Sequence, residues 1–306
     1  MINLFNHGKI ITVLQYFTDK FDDYWHILYP ITSLDDRSRN PYLYFYDISR
    51  KATDYYGQFS DERIYLFQGY DGHYHIHALE IAQYSLACWL AWQNNKENIW
   101  LEKALLHCNW LIKHQESDGS WHIGHKNPKY SNLSSPWSSA LTQGLAISSL
   151  LRAYRYTDKV DYLNAAIKGA TFLEIPTEFG GLKRSFGEFF IYEEYPRPEL
   201  SGVLNGYISS IFGIYELSFI KNEYTLLYKE NISNLIKILP KYNLGYWSLY
   251  SLDGTISSGF YQRYVLIQLT ALSYTEPQLL PFINHYQQQL KHFLHPIIAL
   301  WKKLTV

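Results

Sequence analysis

An all-α fold of paired helices, arranged as an α/α toroid (an incomplete or closed barrel of helical hairpins joined by turns or short β-hairpins), is what this sequence predicts. Three observations carry the prediction. Apolar residues recur at helical spacing in eight successive segments, 78–92, 99–114, 138–154, 162–173, 203–218, 224–239, 262–272 and 278–301. Aromatic turns containing Gly57, Gly119, Gly181 and Gly245 punctuate them at intervals of 62, 62 and 64 residues, the length of one helical hairpin with its connections. Finally, 306 residues with 47% hydrophobic content and no break in composition are enough for one large core. The expectation is a single domain over 1–306, with 1–64 as a helical, aromatic extension packed on it.

Taken in order, the start MINLFNHGKIITVLQYF is interrupted by polar residues and has no clean apolar run or cleavage pattern, so it reads as neither a signal peptide nor a membrane span. Tyrosine-rich clusters at PYLYFYD (41–47), YWSLYS and FYQRY predict a wet, aromatic-lined cleft, because a buried phenol needs a polar partner. His73, His75 and His77 alternate just before the helix at 78–92. Three imidazoles would share one face of a strand but splay apart on a helix, and no acidic cluster accompanies them, so they read as hydrogen-bonding or acid–base groups and no metal is expected. Cys88 and Cys108 fall in helical, apolar surroundings and are expected to be buried free thiols, as suits a cytoplasmic protein. QESDGSW (115–121) is a helix connection in which Asp-Gly makes the turn and Trp121 packs back. The helix 138–154 carries Gln143, and Lys183 and Arg184 follow the double glycine 180–181.

Net charge is −1, which gives no global attraction to nucleic acid or to an anionic membrane, and any acidic substrate must be held by local cations. The most informative stretch is YEEYPRPELSGVLNG (192–206). Pro196 and Pro198 restrict the backbone carrying Glu193, Glu194 and Tyr195, and the loop runs directly into an apolar helix that begins near Asn205. Adjacent carboxylates beside a tyrosine on a stiffened loop form a preorganised acid–base group; the plainer reading is a pair of solvated charges ahead of a helix N-terminus.

Tyr192–Pro196 with the following Val-Leu-Asn-Gly resembles the C-terminal domain of the D-glucuronyl C5-epimerases. IAQYSL (81–86), HQESDGSWHI, ALTQGLAISSLLRAY (140–154) and LPKYNLGYWSLY (239–250) match the same family in the same order, over roughly 65–270. The resemblance implies a cofactor-independent isomerase that removes the proton beside a carboxylate at C5 of a glucuronic acid unit and returns one to the other face. The substrate is a uronate-containing glycan or a smaller relative. Such a site must neutralise the substrate carboxylate and hold an acid or base on each face. Carried over residue by residue, the catalytic positions fall on Glu194, Tyr195, Tyr250 and Tyr261. Substrate-binding expectations fall on His75, His77, Gln143, Lys183, Arg184, Glu193, Arg197, Asn205 and Arg263; an arginine would grip a carboxylate with two hydrogen bonds. The chain departs from the pattern at His75 and His77, where the family has tyrosines, and at Gln262, where it has histidine. Animal members also carry a long β-rich N-terminal region for which 306 residues leave no space, so the expected substrate is smaller, or a homodimer or partner chain supplies the missing cleft wall.

Two other classes compete. The Gln-Trp turn is similar to that of the triterpene cyclases, whose toroids surround carbocations with aromatic rings, but Asp22-Asp23 and Asp35-Asp36 lack the acid or magnesium-binding patterns that chemistry needs. A catalytically inactive glycan- or protein-binding module would explain the departures, while the retained tyrosine beside paired carboxylates favours an enzyme.

Overall fold

The computed structural model describes residues 7–18, 28–69, 72–127 and 129–305. Among them the chain is predominantly helical. It opens with α1 (His7–Leu14), β1 (Leu28–Ile31), α2 (Leu34–Arg39), β2 (Tyr46–Asp47), α3 (Arg50–Thr53), β3 (Phe67–Gln68) and β4 (Tyr74–His75). Four helical hairpins follow: α4 (Ala78–Asn95) with α5 (Asn98–Lys113), α6 (Ala140–Thr157) with α7 (Val160–Leu173), α8 (Leu204–Ser218) with α9 (Tyr224–Ile238), and α10 (Gly259–Ser273) with α11 (Leu280–Lys291). β5 (Lys183–Phe186) and β6 (Phe189–Tyr192) lie between α7 and α8, and α12 (His295–Thr305) ends the described chain. The three sheets are two-stranded and antiparallel, β1 with β2, β3 with β4 and β5 with β6.

Burial separates two kinds of helix. Residues 78–91 of α4, 140–153 of α6 and 204–217 of α8 are buried without interruption, so these helices are covered on all sides. In α5, burial is confined to Leu101, Ala104, His107, Cys108 and Leu111, one stripe at helical spacing. The same one-sided pattern holds for α9. Successive first helices α4, α6, α8 and α10 pack side by side as an inner row, with their partners outside. β2 packs on α10 and α3 on α4, so the 46–53 segment bridges the two ends of the row. Close approach inside the row depends on small residues: a Cβ at Gly144 of α6 would stand 2.3 Å from the Ser209 carbonyl oxygen of α8. Hydroxyl and thiol groups tie α4, α5 and α6 together, with Ser149 Oγ donating to Ser85 Oγ at 2.7 Å and Cys108 Sγ within 3.3 Å of both. Cys88 and Cys108 are both free and buried.

The two ends of the row differ. Inner helices α4 and α6 turn into their outer partners through two residues each, with Lys96 and Asp158 in the left-handed region closing the turn. At the opposite end, connections 114–139, 174–203 and 239–258 run from each outer helix to the next inner one. The periodic glycines Gly119, Gly181 and Gly245 lie in these long connections. Trp121 folds back as the turn reading predicts, its indole N–H donating to the Leu111 carbonyl at 2.8 Å.

Two expectations are corrected. The apolar run 278–301 is two helices, because His292 is extended (ψ 122°) and Pro296, which cannot donate a backbone hydrogen bond, is accommodated in the first turn of α12. PYLYFYD forms core rather than a wet cleft: Tyr44, Phe45 and Tyr46 are buried, Phe45 stacks on Phe212 of α8 at 3.8 Å between ring centroids, and the Tyr46 and Tyr264 hydroxyls pair at 2.8 Å. Among the described residues no helix is long and apolar enough to cross a membrane.

Candidate active site

The long connections at one end of the row bring together the groups that the sequence scattered over more than a hundred positions. The β5–β6 hairpin sets the first of them, with Lys183 opposite Tyr192 and Phe186 opposite Phe189. The chain leaves β6 at Glu193, whose carbonyl accepts from the Ala140 amide at the start of α6, 3.0 Å away. Residue 194 is thereby held over the inner row. A second loop is clamped beside it by the pairing of Val203 with Ser251 and by Leu204 N–H donating to the Tyr250 carbonyl at 3.2 Å. The Ser258 side chain caps α10 by accepting from Tyr261 N–H, which fixes the first turn of the helix that carries Tyr261.

Glu194 is buried. Tyr250 O–H donates to its Oε1 at 3.3 Å and Asn205 Nδ2 to its Oε2 at 3.2 Å, and the Tyr195 hydroxyl also interacts with the carboxylate. Burial raises its pKa to about 7, against the smaller opposing effects of the Tyr195 and Tyr250 hydroxyls, Lys129 and Asn205. A Cβ on Gly206 would sit 2.6 Å from Glu194 Oε2, so a side chain at that point of α8 would displace the carboxylate. Tyr250 and Tyr261 rings lie 4.6 Å apart, and burial together with the Glu194 charge pushes the Tyr250 phenol well above its ordinary value. Tyr195 is only partly buried as a residue, yet desolvation of its hydroxyl and then the neighbouring Glu194 move it in the same direction. Tyr130 and Trp137 flank its ring at 4.8 and 5.5 Å.

Glu193, next in the chain to Glu194, faces elsewhere. It accepts from the backbone amides of Ser201 (2.9 Å) and Gly202 (2.8 Å) and pairs with Arg184 at 2.9 Å, so these two residues brace the loop from beneath. Arg197 pairs with Asp253 at 2.7 Å and its guanidinium lies 4.5 Å from the centre of the Tyr130 ring, at the rim of the site. The remaining residues singled out from sequence stand apart. Lys183 pairs with Glu174 at 2.7 Å, Gln143 donates to the Gly119 and Gly169 carbonyls at 3.1 Å each, and Arg263 donates to the carbonyls of Gln15 and Gly259. His77 is buried against Phe67 and His125, and burial holds it well below the ordinary imidazole value; His75 stacks on His125 at 5.7 Å. Trp137 links this histidine group to the tyrosine site, since its indole N–H donates to the His125 carbonyl at 3.1 Å. Among the described residues no three His, Cys, Asp or Glu side chains are disposed to hold a metal ion.

Lys129, Tyr130 and Trp137 were not singled out from the sequence. Lys129 Nζ stands 4.7 Å from the Tyr130 ring centre and 5.1 Å from that of Tyr250, within electrostatic reach of Glu194 and Asp253. The available signal was positional: all three lie in the 114–139 connection that follows the Gly119 turn, one of the three that build this end.

An inner row of helices that carries a buried carboxyl among tyrosines at its long-loop end defines an all-α protein of paired helices with a tyrosine–glutamate cluster at one end. Residues 114–292 match the family described as D-glucuronyl C5-epimerase C-terminus, and the chain belongs to that family. It is 32% identical over 161 residues to a D-glucuronyl C5-epimerase of Caenorhabditis elegans, a match covering 47% of this chain and 26% of that protein. It is 29% identical over 155 residues to an uncharacterized protein of Methanocaldococcus jannaschii, covering 49% of this chain and 50% of the relative.

Proposed function

We propose that this chain catalyses epimerisation at a carbon next to a carboxylate in a uronate-containing glycan or a smaller relative, with no cofactor, and that Glu194 and Tyr195 carry the proton transfers. The observation behind the reading is the ionisation of the site. A carboxyl at about pKa 7 is part ionised at neutral pH and matched to a base, whereas Tyr195 and Tyr250, pushed upward, stay protonated and serve as donors. Glu194 takes the C5 proton as the C–H bond breaks, and the electron pair moves onto the substrate carboxylate. Lys129 and Arg197 at the rim meet that charge. Tyr195 then gives its hydroxyl proton to the opposite face of the carbon, and Glu194 returns the proton it took to the tyrosinate through the contact between them. Tyr250 and Asn205 hold the carboxylate in place throughout, and the Tyr261 ring backs Tyr250. The uronate assignment rests on family membership; the base and donor roles rest on the site.

Incubation in D₂O with uronate-containing oligosaccharides, read by NMR and mass spectrometry at C5, tests the reading. Deuterium should enter C5, and Tyr195→Phe should slow entry by about 10²- to 10⁴-fold while the protein stays folded. A folded wild-type protein that exchanges no uronate would overturn the assignment in favour of a binding module.

A further inference from the structure

A cavity of about 300 Å³ lies beside the start of α4, lined by Tyr55, Tyr56 and Tyr74 together with Lys51, Asp54 and Gln68. Lys51 places it there, because its ammonium pairs with Glu80 in the first turn of that helix. This is the long-connection end, and a run of contacts leads from the cavity to the tyrosine site. His75, next to Tyr74 on β4, stacks on His125, whose carbonyl accepts from the Trp137 indole. The Trp137 ring in turn lies 5.5 Å from that of Tyr195. The residues lining the cavity all precede the 114–292 segment shared with the family.

Aromatic faces and neutral polar handles make up the accessible walls. Tyr56 is 92% exposed, Tyr74 is half-buried and Gln68 is exposed. Tyr55 is a fixed wall, since its hydroxyl donates to the carbonyls of Gln58 and Leu66 at 2.8 and 2.6 Å. Both charged groups are paired, buried Lys51 with Glu80 at 2.5 Å and Asp54 with Arg50 at 2.6 Å, so the cavity offers an ion no unbalanced charge. The Asp54 side chain is nevertheless 32% exposed, and its oxygens, like the Gln68 amide, can still meet hydroxyl groups. A purely apolar ligand would cover those polar groups without matching them. A pyranose ring, with C–H faces for the tyrosines and a rim of hydroxyls for Gln68 and Asp54, suits both kinds of wall.

We propose that this cavity binds one neutral pyranose unit of a glycan, with its ring against Tyr56 and Tyr74 and its hydroxyls on Gln68 and Asp54. On the epimerase reading, on which this second part rests, the unit held here is a non-reacting one of the same glycan whose C5 is worked on at Glu194.

The full chain with Tyr56→3-fluorotyrosine carries a single fluorine, in this cavity, whose NMR signal reports binding here apart from binding at Glu194. At least one of maltotriose, cellotriose and chitotriose should shift the signal saturably, and trigalacturonate and cyclohexanol should each bind at least about 10-fold more weakly than the best sugar. Gln68→Ala should weaken that sugar by about 3- to 10-fold, the effect of one hydrogen bond. Asp54→Asn removes the carboxylate that balances Arg50 and should tighten trigalacturonate by about 2- to 5-fold. No saturable shift with any of the three sugars would overturn the proposal. So would trigalacturonate or cyclohexanol binding as tightly as the best sugar, or unchanged affinities in both variants. In the deuterium assay on an oligosaccharide, Tyr56→Ala should raise KM by about 2- to 10-fold, and an unchanged KM would overturn the shared glycan. A wild type that exchanges no uronate would overturn the epimerase reading and the shared glycan with it, while the fluorine titration decides the sugar site by itself.

Discussion

Two buried carboxylates at opposite ends of the inner helices, Glu216 and Glu194, are held in opposite ways. At the short-turn end, Glu216 is matched by the fully buried Arg152, which also donates to the carbonyls of Tyr42, Leu43 and Ser148 and so leaves nothing of the pair unsatisfied. Lys51 and Glu80, the latter in the first turn of α4 and so at the long-connection end, are also paired and buried, at 2.5 Å. At the long-loop end, Glu194 meets two phenols and an amide in place of a paired cation, and burial raises its proton affinity. A buried ion pair fixes structure, whereas a buried carboxyl held by neutral donors is left free to exchange a proton.

The largest effect should come from making Glu194 permanently neutral. Glu194→Gln keeps the shape and the neutral partners but removes the base, and C5 exchange should fall by about 10²- to 10⁴-fold in the deuterium assay. Arg152→Met breaks the contrasting pair and strands Glu216; equilibrium denaturation should show a loss of about 3–5 kcal/mol. A third effect separates the two carboxyls by pH. Folding raises the Glu194 pKa from 4.5 to about 7, so the protonated form is favoured in the folded chain. Its contribution is complete below pH 4.5 and is lost as pH climbs through 7. Glu194→Gln should therefore match the wild type near pH 4 and exceed it at pH 8 by on the order of 3 kcal/mol, while wild-type exchange rises over the same interval. Smallest of all, Lys183→Ala opens a partly exposed pair with Glu174 and should cost less than about 1 kcal/mol with turnover unchanged.

Much of the scaffold is visible in the order of the residues, because inner and outer helices both carry a 3.6-residue apolar pattern and the glycine turns recur with the hairpins. What periodicity cannot show is which of two apolar segments is covered on all sides: α4 and α5 look alike as strings and differ only in what packs around them. The catalytic expectations Glu194, Tyr195, Tyr250 and Tyr261, together with Asn205, come together in one place, since short motifs beside a proline-stiffened loop carry their position with them. Lys129 is not legible in the sequence, because nothing in HKNPKYSN marks a lysine as belonging to a site whose other members lie at 194 and 250. The cations nearest the motif in sequence, Lys183 and Arg184, sit on β5, whose register with β6 turns them toward Glu174 and Glu193. Adjacency in sequence says nothing of which way a strand residue faces.

The contrast in connection length also bears on how such a chain can change. A two-residue turn closed by Lys96 or Asp158 in the left-handed region admits no insertion without unseating both of its helices. The 114–139 connection, by contrast, touches the site through Tyr130 and Trp137 while Gln143 and Trp121 pin its root to the helices behind it. Sequence drift, or a deliberate library, can rewrite the stretch between those pins and present new chemistry to an incoming molecule with Glu194, Tyr195 and Tyr250 left where they are.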